Sequence, residues 1–397
     1  MKKLPLALAI GSAALMPMAQ ADDFSVQIYG KLYPYMLSEK GSGATAAGET
    51  VSTLSPSAKG VNGMDDIKGL QAGNSRLGLR GKEDLGDGLA ALFQLEQTVG
   101  VDAGTGGAWN RDTFVGLEGK FGLVRLGNMD TIFKNYGDII GTLGISSGTF
   151  LSTSDVLRKT GFGLSSASSF HLRRANSVTY ETPNFYDLQA GIQYSTNEAE
   201  TTGHNPRLLS VGVFYDKDSW YVGLAHEIHY DFFGGSLNAP SAMRNSADEA
   251  VNSKDQATQL AIVYRLSKDH KFEFDAIRKT YKENATLPGR FQSYRNNAFL
   301  LTAESRWGER WRTSVHYVRS LAGSCEVVGT PCNTSGLEGS EFVVAGAYNF
   351  SKRTFLFGAV ERLTNGKSAR YSNAEFDHDP NPGEDITQFA LGIVHSF

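Results

Sequence analysis

The feature that most limits what this chain can become is a period-two alternation that returns in runs of about ten residues along almost its whole length, the signature of β-strands with unlike faces. In the first run Phe24, Val26, Ile28 and Leu32 share one face, while Gln27, Tyr29, Lys31, Tyr33 and Tyr35 share the other. In the last run Phe389, Leu391, Ile393 and Phe397 oppose Gln388, Ala390, Gly392 and Ser396. The split recurs at Leu209/Val211/Val213/Tyr215, Trp220/Val222/Leu224/Ile228, Leu260/Ile262/Tyr264 and Trp311/Val315/Tyr317, and the second face is polar or small each time. About sixteen such runs lie between Phe24 and Phe397. Their connections alternate in length. Seven tight turns fall at 85–88, 120–122, 184–187, 216–219, 267–270, 308–310 and 351–353. Eight long loops, rich in Gly, Ser, Asn and Thr, fall near 38–72, 100–109, 130–172, 197–206, 231–254, 283–292, 322–338 and 365–383. Seven and eight make the fifteen connections of a sixteen-stranded meander.

Such a sheet has two homes, the core of a soluble sandwich or a lipid bilayer. No uninterrupted apolar run reaches the roughly 18 residues of a membrane-spanning helix, and an aromatic content of 11% with 20% charged residues excludes a disordered chain. In hydrocarbon a spanning sheet must close on itself, because no water is present to satisfy an open edge. Apolar alternates then face lipid, polar ones face a wet lumen, and aromatics collect at the interfaces. A soluble sandwich would alternate too, but it has no reason to order its loops short and long. The expected fold is therefore all-β, a 16-stranded antiparallel transmembrane β-barrel with eight long external loops.

Residues 1–21 combine Lys2 and Lys3, an apolar stretch from Leu4 to Met16, and Ala19-Gln20-Ala21, the layout of a cleaved secretory signal peptide. Residues 22–397 then form a single barrel domain with 36 basic and 42 acidic residues, a formal charge of −6. That balance gives no footing to nucleic acid. In a secreted chain Cys325 and Cys332, seven positions apart in a Gly/Thr/Ser/Pro segment, read as a loop disulfide, and no Cys or His stands nearby at metal-ligand spacing. Neither a phosphate-cradling loop nor a dinucleotide fingerprint is present, so no cofactor is expected. Ser146, in Gly144-Ile145-Ser146-Ser147-Gly148, fits a nucleophile elbow in pattern but is followed by no helical periodicity. His226 and His229 fall on opposite strand faces and cannot chelate one metal. Asp377, His378, Asp379, Glu384 and Asp385 form either a solvated acidic loop or a set of hard oxygen ligands for Ca²⁺ or Mg²⁺.

Ser75–Gly86 (SRLGLRGKEDLG) and Leu92–Glu96 (LFQLE) resemble the second and third strands of Gram-negative general porins of the β-proteobacterial and neisserial type. The resemblance continues through Asn110-Arg111, Phe114–Leu117, Phe121–Gly127, Asn176–Tyr180, Pro183–Phe185 and the closing Gly392–Phe397. It implies a homotrimer of barrels in the outer membrane, set among lipid and lipopolysaccharide, each pore narrowed by an inward-folded third loop. It also implies that the terminal aromatic, Phe397, is read by the barrel assembly machinery. Where the family often carries Arg after Leu126-Gly127, this chain has Asn128.

The third long loop is the candidate constriction. Within 131–174 the cations Lys134, Arg158, Lys159, Arg173 and Arg174 outnumber the acids Asp138 and Asp155 by five to two. Alternation turns Arg76 and Arg80 inward between Leu77 and Leu79, and Arg125 inward between Val124 and Leu126. Arg111 is opposite in parity to Phe114, Arg173 shares parity with Ser177 and Thr179, and Lys31 lies on the polar face of the first strand. The expected constriction set is Lys31, Arg76, Arg111, Arg125, Arg173, Asp138 and Asp155, with Arg76 and Arg111 in a basic cluster facing an acidic loop by resemblance. The expected function is passive diffusion of small hydrophilic solutes and ions with a mild anion preference, not catalysis. The alternatives are a substrate-selective channel tracked by Tyr33 and Tyr35, a lipase-type barrel, and a plugged surface barrel.

Overall fold

The computed structural model describes residues 24–49, 51–196, 200–201, 203–245, 250–376 and 378–397. The expected signal peptide and Asp377 lie outside the described residues. Sixteen long strands form one antiparallel sheet: β1 (Phe24–Leu32, continued by Tyr35–Ser42), β2 (Ile67–Gln71, continued by Arg76–Gly86), β3 (Leu89–Gly100), β4 (Thr113–Gly119), β5 (Gly122–Asp130), β6 (Arg173–Glu181), β7 (Leu188–Thr196) and β8 (Arg207–Lys217). The second half comprises β9 (Trp220–Tyr230), β10 (Lys254–Arg265), β11 (His270–Lys282), β12 (Phe291–Trp307), β13 (Trp311–Ser320), β14 (Gly339–Asn349), β15 (Thr354–Asn365) and β16 (Asp385–Ser396). Each strand pairs with its sequence neighbours, and β16 pairs with β1 from Tyr35↔Gly392 to Ser42↔Asp385, closing the barrel. The expected architecture and the short/long order of connections are both present.

Closure is completed at the short-turn end. Gly30 N–H donates to the Phe397 carbonyl at 3.1 Å, and Phe397 N–H returns a bond to the Gly30 carbonyl at 3.1 Å. A Cβ added at Gly30 would collide with the Phe397 ring, so the seam needs a residue without a side chain there.

The two faces are as the alternation requires. Ile28, Val115, Leu224, Leu301 and Leu391 are exposed on the outside, while Gln193, Ser210, Gln388 and Ala390 are fully buried on the inside. Phe185, Tyr186, Trp220, Trp307, Trp311 and Phe350 form an exposed aromatic rim at the short-turn end, where amphipathic rings match a membrane interface. Inside, an apolar cluster joins Phe133, Val156, Leu157, Phe162 and Phe170 of the third loop to wall residues such as Tyr281 and Tyr294. The loop carries two short helices, α1 (Ile132–Asn135) and α2 (Ser154–Leu157). Neither was expected, because one helical turn leaves no periodic trace. The expected Cys325–Cys332 disulfide is present, with Cα atoms 5.7 Å apart, in the loop between β13 and β14.

Replacing Gly30 by Val should weaken the seam. We expect the heat-modifiable folded band on unheated gels to convert at a lower temperature than in wild type, while Gly346→Val, where added atoms meet open space, leaves it unchanged.

Candidate functional site

The third loop, residues 131–172, runs along the inner wall and is held there mainly through its backbone. Gln193 Oε1 on β7 accepts from Ile132 N–H at 3.1 Å, and Ser210 Oγ on β8 accepts from Phe133 N–H at 2.9 Å. On β11, Asp275 accepts from Asp138 N–H at 2.7 Å, and Glu273 accepts from Ile139 and Ile140 N–H at 2.6 and 2.7 Å. Each bond gives an otherwise orphaned loop amide a charged or polar acceptor, the requirement for burying irregular backbone. The wall also makes room. Gly191, Gly212 and Gly223 on β7, β8 and β9 form a groove beneath Ile132 and Tyr136, and a Cβ at any of them would come within 2.7 Å of the loop.

The return leg is pinned by Arg158, which is fully buried. Its guanidinium donates to His171 Nδ1 at 2.6 Å and to Gln259 Oε1 on β10 at 2.7 Å. Burial and the surrounding cations lower the His171 pKa well below the ordinary imidazole range, so the ring is neutral and can accept. Lys279 on β11 donates to the carbonyls of Leu157 and Lys159 at 2.9 and 2.7 Å. At the tip, Thr142 bonds His316 on β13, Phe150 packs against Tyr35 with ring centroids 5.4 Å apart, and Asn74 Nδ2 donates to Ser147 O at 3.0 Å.

Opposite the loop, the inner wall of β1–β6 carries a chain of charges. Glu96 accepts from Arg111 and from Tyr29 and lies 3.6 Å from Arg76 Nε. Arg76 also donates to Asn74 at 3.1 Å, and Lys31 is its register partner on β1. Arg173 spans Asp112 at 2.6 Å and Asp130 at 2.9 Å, and Asp130 also pairs with Lys134 at 2.9 Å. Lys31, Arg76, Arg111 and Arg173 thus occupy one continuous stretch of wall.

Three expected members lie elsewhere. Arg125 pairs with Glu181 on β6 and its guanidinium sits 5.2 Å over Phe114; Phe114 itself faces inward, so Arg111 reaches the lumen from the segment before β4 and not by strand parity. Asp138 is only 6% exposed and bonds Thr153 beneath the loop, away from the lumen. Burial raises its carboxyl above the ordinary range, opposed by Arg158 and Thr153. Its docking contribution is therefore present at acid pH and lost as pH rises through that raised value. Asp155 pairs with Lys159 and, with Arg370, Tyr371 and His378, lines a cavity of about 380 Å³ between the third and last loops. The accessible residues Asn135, Ile139, Ser146 and Ser147 of the loop are uncharged, and the cation beside them, Lys134, pairs with Asp130 of the wall. The expected acidic loop face is corrected accordingly: Asp138 and Asp155 bond partners within the loop, and the acids that anchor it, Glu273 and Asp275, come from the wall.

Other expectations also change. Tyr33 and Tyr35 are 0% and 1% exposed, packed with Phe357 and Phe150, and offer no solute track. Glu384 is fully buried, accepting from Gly63, Met64 and Asn381 N–H, so it is neither solvated nor free for a cation. Among the described residues no cluster of His, Cys, Asp or Glu is arranged to hold a metal. Sequence reasoning missed Asn74, Glu96, Gln259, Glu273 and Asp275; the last two alternate with Phe272 and Phe274, a signal of inward acids that parity alone could have exposed.

A closed barrel with an apolar outer belt, a polar lumen and a folded-in loop defines an outer-membrane diffusion pore. The chain belongs to the Gram-negative porin family, whose model matches residues 6–368. It is 29% identical over 371 residues to the major outer membrane protein P.IB of Neisseria lactamica, covering 93% of this chain and 95% of that one. Its fold is similar to an anion-selective porin from Comamonas acidovorans, with TM-score 0.71, 23% identity, and coverage of 94% and 100%. It is also similar to OmpT of Vibrio cholerae in its trimer form, with TM-score 0.64, 13% identity, and coverage of 95% and 100%. The protein is a passive channel of the Gram-negative outer membrane, not an enzyme.

Arg158→Ala should cost on the order of 3 kcal/mol of loop docking, from two lost charge-assisted bonds. The expected reading is noisier, larger single-channel currents. Asp138→Asn should leave the reversal potential unchanged.

Proposed function

We propose that solutes cross at a gap between the cationic wall, Lys31, Arg76, Arg111 and Arg173, and the uncharged accessible residues of the third loop. The observation that carries this reading is Asn74, whose amide accepts from Arg76 and donates to Ser147 of the loop, so that one side chain joins the two sides. Along this stretch five cations, with Lys134 included, face three acids, Glu96, Asp112 and Asp130. A net positive, narrow, low-dielectric passage raises the local concentration of anions. The anion-selective character of the Comamonas porin supports the same sign. The pore is read as general for small hydrophilic solutes, and Asp155 belongs to its outer vestibule. In a salt gradient, wild type should show a reversal potential of anion preference, and Arg76→Gln with Arg111→Gln should reduce or abolish it. Cation selectivity in wild type would overturn the assignment.

The working assembly is read as a homotrimer, supported by the family and by the trimer form of OmpT. The mature chain is taken to begin at Asp22, with Phe397 recognised by the barrel assembly machinery. Outer membranes from expressing cells should yield a band of about three times the monomer mass that collapses on heating, an N-terminal sequence starting at Asp22, and several-fold less of both with Phe397→Ser. A band that never exceeds monomer mass would refute the trimer.

A further inference from the structure

At the short-turn end the inner wall sets two like charges face to face. Arg306 near the end of β12 and Arg312 near the start of β13 are direct register partners. Both point into the barrel, Arg306 in parity with buried Thr302 and Glu304, and Arg312 in parity with buried Ser314 and His316. Like charges directly opposite one another destabilise a sheet, so the pair carries a cost that strand pairing does not require. Glu304 offsets it only in part, lying 3.8 Å from Arg312 and equally 3.8 Å from Lys271 of β11. Among the described residues Arg306 takes part in no ion pair and no side-chain hydrogen bond, and Arg312 Nε is buried without an acceptor.

The pair opens onto a cavity of about 600 Å³ framed by the β12–β13 and β14–β15 turns. Lys352 of the second turn, Asn349 and Phe355 help to line it, with Glu309 as the acid at its edge. Lys352 is exposed and, like Arg306, has no ion-pair partner among the described residues. Arg310 is turned away, donating to the Tyr348 hydroxyl at 2.8 Å on the outward side, where Tyr348 packs against Trp311. Asn349 Nδ2 donates to the Arg310 carbonyl at 2.8 Å and so ties the two turns together. The Arg312 guanidinium lies 5.0 Å over the Phe355 ring, and its Nη2 is 3.4 Å from the Leu143 carbonyl at the tip of the third loop. The cavity thus runs from the loop tip to the inner mouth of the barrel.

Three cations, Arg306, Arg312 and Lys352, face this cavity against the single edge acid Glu309, since Glu304 is shared with Lys271. Each guanidinium is a flat fork that matches one carboxylate with two parallel bonds. Two forks on neighbouring strands match two carboxylates on one short chain, and such a ligand turns the cross-strand repulsion into attraction. The cavity has room for more than one inorganic ion, and Phe355 offers an apolar face to a methylene chain. We infer that the Arg306–Arg312 pair, assisted by Lys352, binds short aliphatic dicarboxylates at the inner mouth of the pore. The inference rests on the outer-membrane pore reading, with the short turns facing the periplasm, and it names a solute class for that pore.

The test titrates the folded protein in detergent by calorimetry with succinate, with butyrate, which has the same chain length and one carboxylate fewer, and with inorganic phosphate. We expect succinate to bind R306Q/K352Q about tenfold more weakly than wild type, as for the loss of charge-assisted contacts at a half-open site. Butyrate and phosphate should bind wild type no better than succinate binds the variant. K120Q, which removes an exposed turn cation on the opposite side of the barrel, should bind succinate as wild type does. Without ligand, R306Q/K352Q should keep its folded band on unheated gels to at least the wild-type temperature, because a repulsion is removed; a lower temperature would mark Arg306 as structural and overturn the assignment. Equal succinate affinity in wild type and the folded variant, or butyrate or phosphate binding as tightly as succinate, would also overturn it. Absence of single-channel conductance from wild type would instead refute the pore, since the calorimetric difference does not depend on conduction.

Discussion

Hydrocarbon offers a peptide group no hydrogen-bond partner, and this molecule is organised around that fact. Every spanning N–H and C=O must find another strand, so the sheet has to close, and β16 returns to β1 to do so. The last residue participates, through its paired bonds to Gly30. Once closed, the barrel has an interior with strand residues pointing into it from all sides, and the remaining structure is a solution to filling that interior in part.

The third loop fills it without a conventional core of its own. Short helices and irregular backbone expose amides that need acceptors, and the wall supplies Gln193, Ser210, Glu273 and Asp275. Acidic side chains that would give a channel cation-attracting character are used as anchors. On the far wall, cations are balanced only in part by Glu96, Asp112 and Asp130. The sign of the pore's field thus follows from which acids the loop consumes.

Strand number, loop order, inward and outward faces and the disulfide were all legible in the residues, because period-two alternation and loop length are local properties. Lys31, Arg76, Arg111 and Arg173 could be named one by one, but their lying on one stretch of wall is a product of strand register. Tyr33 and Tyr35 were assigned correctly to the inward face, but the alternative in which they line an open track fails, since parity cannot tell an inward residue beneath a loop from one beside water. The same limit applied to Asp138. Asn74 and Gln259 gave no signal, being polar residues in positions where many polar residues would serve.

What the sequence alone determined is the barrel: backbone satisfaction in lipid, written as alternation and loop length, leaves a chain of this pattern one closed solution. What only the tertiary structure decided is the charge seen by a passing solute. Whether a given carboxylate faces water or a loop amide depends on contacts between Asp138 and Asp275, or Ile139 and Glu273, more than a hundred residues apart. Strand periodicity carries no information about such pairs, because it reports which face a side chain is on and not what covers that face.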